Sequence, residues 1–154
     1  MPVKIINTEE TLPLRSSVLR NGKPFEDCLF DQDKEDIESF HLGYFNDGEE
    51  KTALGIASFY KEPLDNYEGN GWRLRGMAVD QSGQGKGLGT KLLTHGTNLL
   101  KEVHGSTYLW CDARRVAYNF YQAFGFIYIS DEFLIPGIGP HRKMLLRLTV
   151  PNTK

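Results

Sequence analysis

The sequence predicts an α/β domain, with helices packed on a mixed sheet. Three observations carry this. Aromatic and branched runs, "FHLGYF" (Phe40–Phe45) and "TALGIASFY" (Thr52–Tyr60), mark strands in the first half. A glycine-rich stretch, "VDQSGQGKGLGT" (Val79–Thr90), separates an apolar strand from a segment with leucines at helical spacing. Beyond it the pattern runs helix, strand, helix, strand, strand.

The 154 residues fit a single domain, 1–154, large enough to bury a proper core. A hydrophobic share of 40% and a charged share of 25% are ordinary for a globular chain. A net charge of −2 gives no global attraction to nucleic acid or to an anionic membrane. Cys28 and Cys111 form no CxxC pair or disulfide framework, which points to a reducing compartment. No basic segment with an apolar core opens the chain, and no apolar run approaches a membrane span. The expectation is a cytoplasmic protein with neither membrane nor nucleic acid as partner.

In order, "MPVKII" reads as a first strand, and the polar "NTEE" starts a helix through Thr11 to Leu19. Phe25 to Glu38 is irregular and acidic; its "DQDKEDIE" reads as a solvated face, or as a lure for a cationic amine. The Asp47-Gly48 pair makes a hairpin of the two aromatic runs. "GWRLRGMAVD" (Gly71–Asp80) is another strand, and Gly76 inside it marks a bulge or a close backbone approach. Leu88, Leu92, Leu99, Leu100 and Val103 define a helix that Gly105 can cap. "TYLWCD" is a strand, and Val116, Ala117, Phe120, Tyr121 and Phe124 then share a helical face ended by Gly125. "FIYIS" and "KMLLRLTV" are the final strands, separated by the loop "DEFLIPGIGPHR".

The glycine stretch is the first candidate for chemistry. A P-loop, GxxxxGK[ST], fails because Asp80 holds the first glycine position and Gly87 stands where Ser or Thr is needed. A GxGxxG dinucleotide fingerprint fails as well, since it would place glycine at Leu88 or at Thr90. A strand, a turn that exposes successive backbone N–H groups and a helix N-terminus remain. That combination suits a phosphate. The alternative is a glycine-rich connection with no ligand.

"QGKGLG" (Gln84–Gly89) resembles the Q/R-x-x-G-x-G/A signature of the GNAT superfamily of acyl-CoA-dependent N-acyltransferases. "LWCDARRVAYNFYQAFGF" (Leu109–Phe126) is similar to that family's later strand and helix, with its FY-x-x-x-GF ending. "FLIPGIGPHRKML" resembles the small bacterial ElaA-like branch. The likeness covers the C-terminal half well and the N-terminal third only in element order.

The resemblance implies a GNAT fold, a mixed central sheet with a splayed strand pair and helices on both faces. It implies acetyl-CoA as co-substrate and an amine as acceptor, with no metal. Gln84, Gly85, Lys86, Gly87, Leu88, Gly89 and Thr90 would wrap the pyrophosphate, mainly through backbone N–H groups. Met77, Ala78 and Val79 would offer main-chain groups to the pantetheine. Tyr121 falls where relatives carry the acid for the departing thiolate, and Asn119, with Arg114 more loosely, would touch the cofactor. Without the resemblance, Tyr121 reads as a core tyrosine on an amphipathic helix.

The general base stays open among Asp112, His41, His141 and water. The four histidines and two cysteines show no metal-ligand spacing. In the loop Asp131–His141, Phe133, Leu134, Ile135 and Ile138 are too apolar for a free tail, and read as a pocket wall or a homodimer contact. The acceptor, a small amine or a peptide amine, is not specified. A non-catalytic acyl-CoA-binding or sensing module is the rival reading, and a nucleotide-binding domain a weaker one.

Overall fold

Asn7 starts the first helix with a reciprocal cap. Its side chain accepts a hydrogen bond from Glu10 N at 2.9 Å, and the Glu10 carboxylate accepts from Asn7 N at 3.0 Å. In the computed structural model, which describes residues 2–46 and 52–148, helix α1 then spans Thr8–Leu14. Pro13 lies inside it and cannot donate to the helical ladder. The chain continues through Arg15–Leu19 as one wider π turn, so the expected helix opens within "NTEE" and reaches Leu19 but changes winding midway.

The chain divides into two compact units, Met1–Lys61 with Leu74–Asn98 and Glu62–Arg73 with Leu99–Lys154. In the first, β1 (Val3–Ile6) pairs antiparallel with β2 (Ser39–Tyr44), and β2 with β3 (Gly55–Tyr60). The β2–β3 register runs from Ser39 opposite Tyr60 to Tyr44 opposite Gly55. The expected Asp47-Gly48 turn lies outside the described residues. β3 neighbours β4 (Gly71–Val79), whose Leu74–Val79 portion belongs to this unit.

Side chains alternate across β3 and separate its two faces. Ser58 and Tyr60 meet Arg15, at the end of α1. Gly55 and Phe59 meet Leu92 and Gly96 of α2 (Leu88–Glu102) instead. Helices therefore cover both faces of this unit's sheet. The acidic segment Phe25–Glu38 carries two short 3₁₀ turns, Phe25–Cys28 and Asp31–Lys34.

In the second unit, Gly71–Arg73 of β4 runs parallel to the start of β5 (Tyr108–Arg114), with Arg73 opposite Trp110. The long strand β8 (Gly139–Arg147) pairs antiparallel with all of β5, from Tyr108 opposite Arg147 to Arg114 opposite His141. β6 (Ile127–Tyr128) adds to β8. Parallel and antiparallel ladders in the sheet make it mixed, as expected. Tyr108, Trp110 and Leu145 form a buried cluster, covered by Leu64, Tyr67 and Ile129.

Two details depart from the sequence reading. The helix after β5 is α3, Tyr118–Phe124, preceded by a 3₁₀ turn at Arg115–Ala117. Val116 is therefore 93% exposed, and Tyr118 is buried in its place. The supposed loop Asp131–His141 is largely a hairpin: β7 (Phe133–Ile135) pairs with β8, Phe133 opposite His141 and Ile135 opposite Gly139. Pro136–Ile138 is its tight turn, closed by Ile138 N donating to Ile135 O at 3.0 Å.

Candidate active site

In the first unit, the chain leaves β4 at Val79 and Asp80 turns it. The Asp80 carboxylate accepts from Ser82 N at 3.0 Å and from Ser82 Oγ at 2.5 Å. These bonds hold its pKa below the usual carboxylate value. Gln84 Nε2 reaches back to Val79 O at 3.4 Å. Gly85 and Gly87 then adopt left-handed φ of 78° and 76°, and a Cβ on either would meet nothing within 4 Å. The α2 ladder begins with Lys91 N donating to Gly87 O at 3.1 Å.

Gln84, Gly85, Lys86 and Gly87 are exposed, Leu88 is buried, Gly89 is half-buried and Thr90 is exposed. Among the described residues, no protein acceptor reaches the N–H groups of Gly85, Lys86 or Leu88. Left-handed glycines in a turn that opens a fifteen-residue helix suit the presentation of successive N–H groups to an anion. The helix N-terminus adds positive potential there. Met77 and Val79 are half-buried and Ala78 is buried, at the end of the strand that feeds this loop.

Gly76 is a close approach of the strand to its own unit. Its φ is 64°, and a Cβ there would lie 2.8 Å from the Phe30 ring and 3.3 Å from Arg15 Nε. Arg15 Cζ and Arg75 Cζ lie 3.9 and 4.1 Å from the centroid of that ring.

Beside Phe30 lies a buried polar network that no motif in the sequence marks. Arg15 Nη1 donates to Asp33 Oδ2 at 2.7 Å and to Cys28 O at 3.1 Å. Its Nη2 donates to Ser58 Oγ at 2.9 Å and to Tyr60 OH at 3.1 Å. Tyr60 OH in turn donates to Asp33 Oδ1 at 2.5 Å. Burial alone would raise the Asp33 pKa, but bonds from Tyr60, Arg15 and Phe30 N outweigh it and hold the carboxylate below its usual value. The Tyr60 phenol is pushed up, chiefly by burial. So one member of the acidic run is a buried structural anion.

His41 belongs to the same network. Its Nδ1 pairs with Ser58 Oγ at 2.7 Å and its Nε2 with Thr8 Oγ1 at 3.1 Å. Burial, then the Arg15 charge, lowers its pKa to about 4. Both ring nitrogens are occupied, and the ring is neutral at neutral pH.

The second unit carries the remaining candidates. Tyr121 is buried on α3, edge-on to Phe120 and Phe126 at centroid distances of 5.2 and 5.1 Å. Burial, and then the neighbouring Cys111, raise its pKa well above the phenol value. Asn119 is exposed on the same helix, and Arg114 is half-buried at the end of β5. Arg115 grips Glu132 with two bonds, of 3.0 and 2.5 Å, and Tyr118 OH donates to the same carboxylate at 3.0 Å.

Asp112 lies between two cations, Arg73 Nη2 at 3.1 Å and Lys143 Nζ at 2.8 Å. Both cations stand over the Trp110 ring, at 4.6 and 4.9 Å from its centroid. His141 lies two residue pairs beyond Asp112 and Lys143 on the same face of the ladder, with Nδ1 2.8 Å from Gly139 O and Phe133 stacked at 6.1 Å. Among the described residues, no group of three or more His, Cys, Asp or Glu is arranged to hold a metal ion. No helix among them is long and apolar enough to cross a membrane.

A mixed sheet with helices on both faces, a strand leading into a glycine turn and that turn opening a long helix define an acyl-CoA N-acyltransferase fold. Residues 8–126 match the acetyltransferase (GNAT) family. The chain is 36% identical over 143 residues to the "Uncharacterized N-acetyltransferase YitI" of Bacillus subtilis (strain 168), covering 92% of each chain. Escherichia coli ElaA shares the fold with a TM-score of 0.70 at 18% identity, over 94% of this chain and 97% of that one. An aminoglycoside 6'-N-acetyltransferase complexed with coenzyme A shares it with a TM-score of 0.69 at 14% identity, over 100% of both chains. The chain belongs to the GNAT family and is an N-acetyltransferase of that family, whose acyl donor is acetyl-CoA.

Proposed function

We propose that this enzyme moves the acetyl group of acetyl-CoA directly onto a primary amine in a ternary complex. The observation that carries the reading is the loop Gln84–Thr90. Two left-handed glycines whose missing side chains face open space have no packing reason to be there, whereas a phosphate needs both the bare backbone and its N–H groups. The residues present fit the pyrophosphate of CoA, with Lys86 as an added exposed cation. Met77, Ala78 and Val79 would present main-chain groups to the pantetheine, and Asn119 would add a polar contact.

In the reaction the neutral amine attacks the thioester carbonyl carbon. The C–N bond forms, the C–S bond breaks and CoA leaves as a thiolate, while the amine gives up a proton. Tyr121 is the assigned donor to the sulfur. A phenol held well above its ordinary pKa of 10 does not hand its proton fully to an alkyl thiolate, whose conjugate acid is the stronger acid of the two. Tyr121 therefore acts by hydrogen-bonding the sulfur as charge develops on it, and remains a phenol throughout. Acceptor choice is the work of other residues, the apolar Ile135 and Ile138 of the β7–β8 hairpin among them.

Thermal unfolding with CoA, acetyl-CoA and ATP tests the cofactor assignment. CoA and acetyl-CoA should raise the melting temperature by mass action on the native state. Gly87→Val should abolish that rise beyond its own effect on the unliganded protein. An amine panel with acetyl-CoA, followed by free thiol release, tests transfer. Stabilisation by CoA with no thiol release for any amine would favour a sensing module; stabilisation by ATP alone would overturn the cofactor reading.

A further inference from the structure

We infer that His141 is the general base that takes the proton from the attacking amine; this rests on the transferase reading above. Three side chains compete for the role, and the structure separates them by what their lone pairs already do. His41 has both ring nitrogens engaged, by Ser58 and by Thr8. Asp112 has one oxygen paired with Arg73 and the other with Lys143, and a carboxylate held by two cations has little left to offer an ammonium proton. His141 differs from both.

Its Nδ1 lies 2.8 Å from Gly139 O, and a carbonyl only accepts. Nδ1 must therefore carry the hydrogen, which in the neutral ring leaves Nε2 as an acceptor with a free lone pair. Among the described residues Nε2 makes no hydrogen bond, yet it is not sealed in, although the residue as a whole is only 4% exposed. The ring is fixed in direction by β8, by Phe133 stacked from β7 and by the Gly139 carbonyl of its own hairpin. The charged residues nearest along the ladder are Arg114, its register partner on β5, and Arg142 beside it on β8. This is how a base is held in one tautomer and one orientation.

The acid–base balance is complete without a further reactant. The amine proton passes to Nε2 as the C–N bond forms, and the imidazolium returns it to solvent or to the departing thiolate.

The test uses His141→Asn, whose side-chain amide can keep the donation to Gly139 O while removing Nε2, and His141→Ala with added imidazole. The acceptors are the alkylamine with the fastest wild-type thiol release and hydrazine, a weaker base of which a far larger share is neutral at pH 8. With the alkylamine, His141→Asn should lower kcat by about 10²-fold or more, with the KM for acetyl-CoA and the melting temperature nearly unchanged. The deficit should shrink with hydrazine, and imidazole should restore part of the His141→Ala rate. A His141→Asn variant with more than half the wild-type kcat overturns the assignment. So does an equal loss with both nucleophiles and no imidazole rescue, which would make His141 a positioning residue. Should His141→Asn unfold, the His141→Ala rescue decides alone. Wild-type protein that releases no thiol with any amine removes the transferase reading itself, a different result from either.

Discussion

Arg15 and Asp33 form an ion pair at 2.7 Å with side chains 0% and 1% exposed, and Tyr60 closes the triangle by donating to the other Asp33 oxygen. A charge that deep is tolerated only while its partner remains. Asp33→Ala should therefore cost about 3–5 kcal/mol in urea unfolding. Adding Arg15→Met should recover part of the loss, because no unpaired charge is then buried. A double variant less stable than Asp33→Ala would show that Arg15 contributes mainly through its stacking on Phe30.

His41 makes stability depend on pH in a window of its own. Its folded pKa is about 4 against 6.5 for the free side chain, so between these values the unfolded chain binds more protons. Stability should be fully present above pH 6.5 and fall as the pH drops towards 4. The two and a half units amount to about 3 kcal/mol at most. His41→Asn should flatten this part of a stability profile from chemical denaturation at several pH values. The Asp33 contribution has the same sign but sits lower: its depressed pKa keeps that stability until the pH falls below the ordinary carboxylate value of 3.8.

The sequence made legible those features whose cause is local. The glycine turn and the leucine spacing after it are set by neighbours within a few residues, and both stand where expected, as α2 and its loop. The Arg15 network depends on residues 13 to 45 positions apart that only the folded unit brings together, so no spacing rule could reveal it. A buried Asp33 inside "DQDKEDIE" carries no composition signal that separates it from its exposed neighbours. Val116 shows a subtler failure. Of the expected face, Tyr121 is buried and Ala117, Phe120 and Phe124 are half-buried, but Val116 lies in a 3₁₀ turn, whose larger rotation per residue turns it outward and brings Tyr118 inward. The hairpin of β7 and β8 is hidden in the sequence because prolines and glycines dominate the stretch, and here they make its turn rather than a free loop.

Gly76 and Gly85 share a left-handed backbone but differ in what surrounds them. Alanine at Gly85 meets open space, so it should cost only the backbone strain, about 1–2 kcal/mol. Alanine at Gly76 must also displace the Phe30 ring, which lies against Arg15 and Arg75, and should cost about 2–4 kcal/mol in all. Melting temperatures of the two variants give the comparison. Equal losses would mean that Phe30 gives way easily.

Tyr121→Phe tests the chemistry at the sulfur. The ring keeps its edge contacts with Phe120 and Phe126, so packing should change little. Removing the hydroxyl takes away a hydrogen bond to a group that becomes charged only as the C–S bond breaks. Hydrogen bonds to charged groups contribute about 1.5–3 kcal/mol, so kcat should fall by roughly 10- to 150-fold. The KM for acetyl-CoA should barely move, since the neutral thioester gains little from that bond in the ground state. A tyrosine that served only the core would show the reverse: a lower melting temperature, with kcat per folded molecule preserved. Both quantities need measuring on one preparation with an accepted amine. A variant that keeps more than half the wild-type kcat would remove Tyr121 from the reaction and leave the thiolate to be stabilised by backbone N–H groups or water.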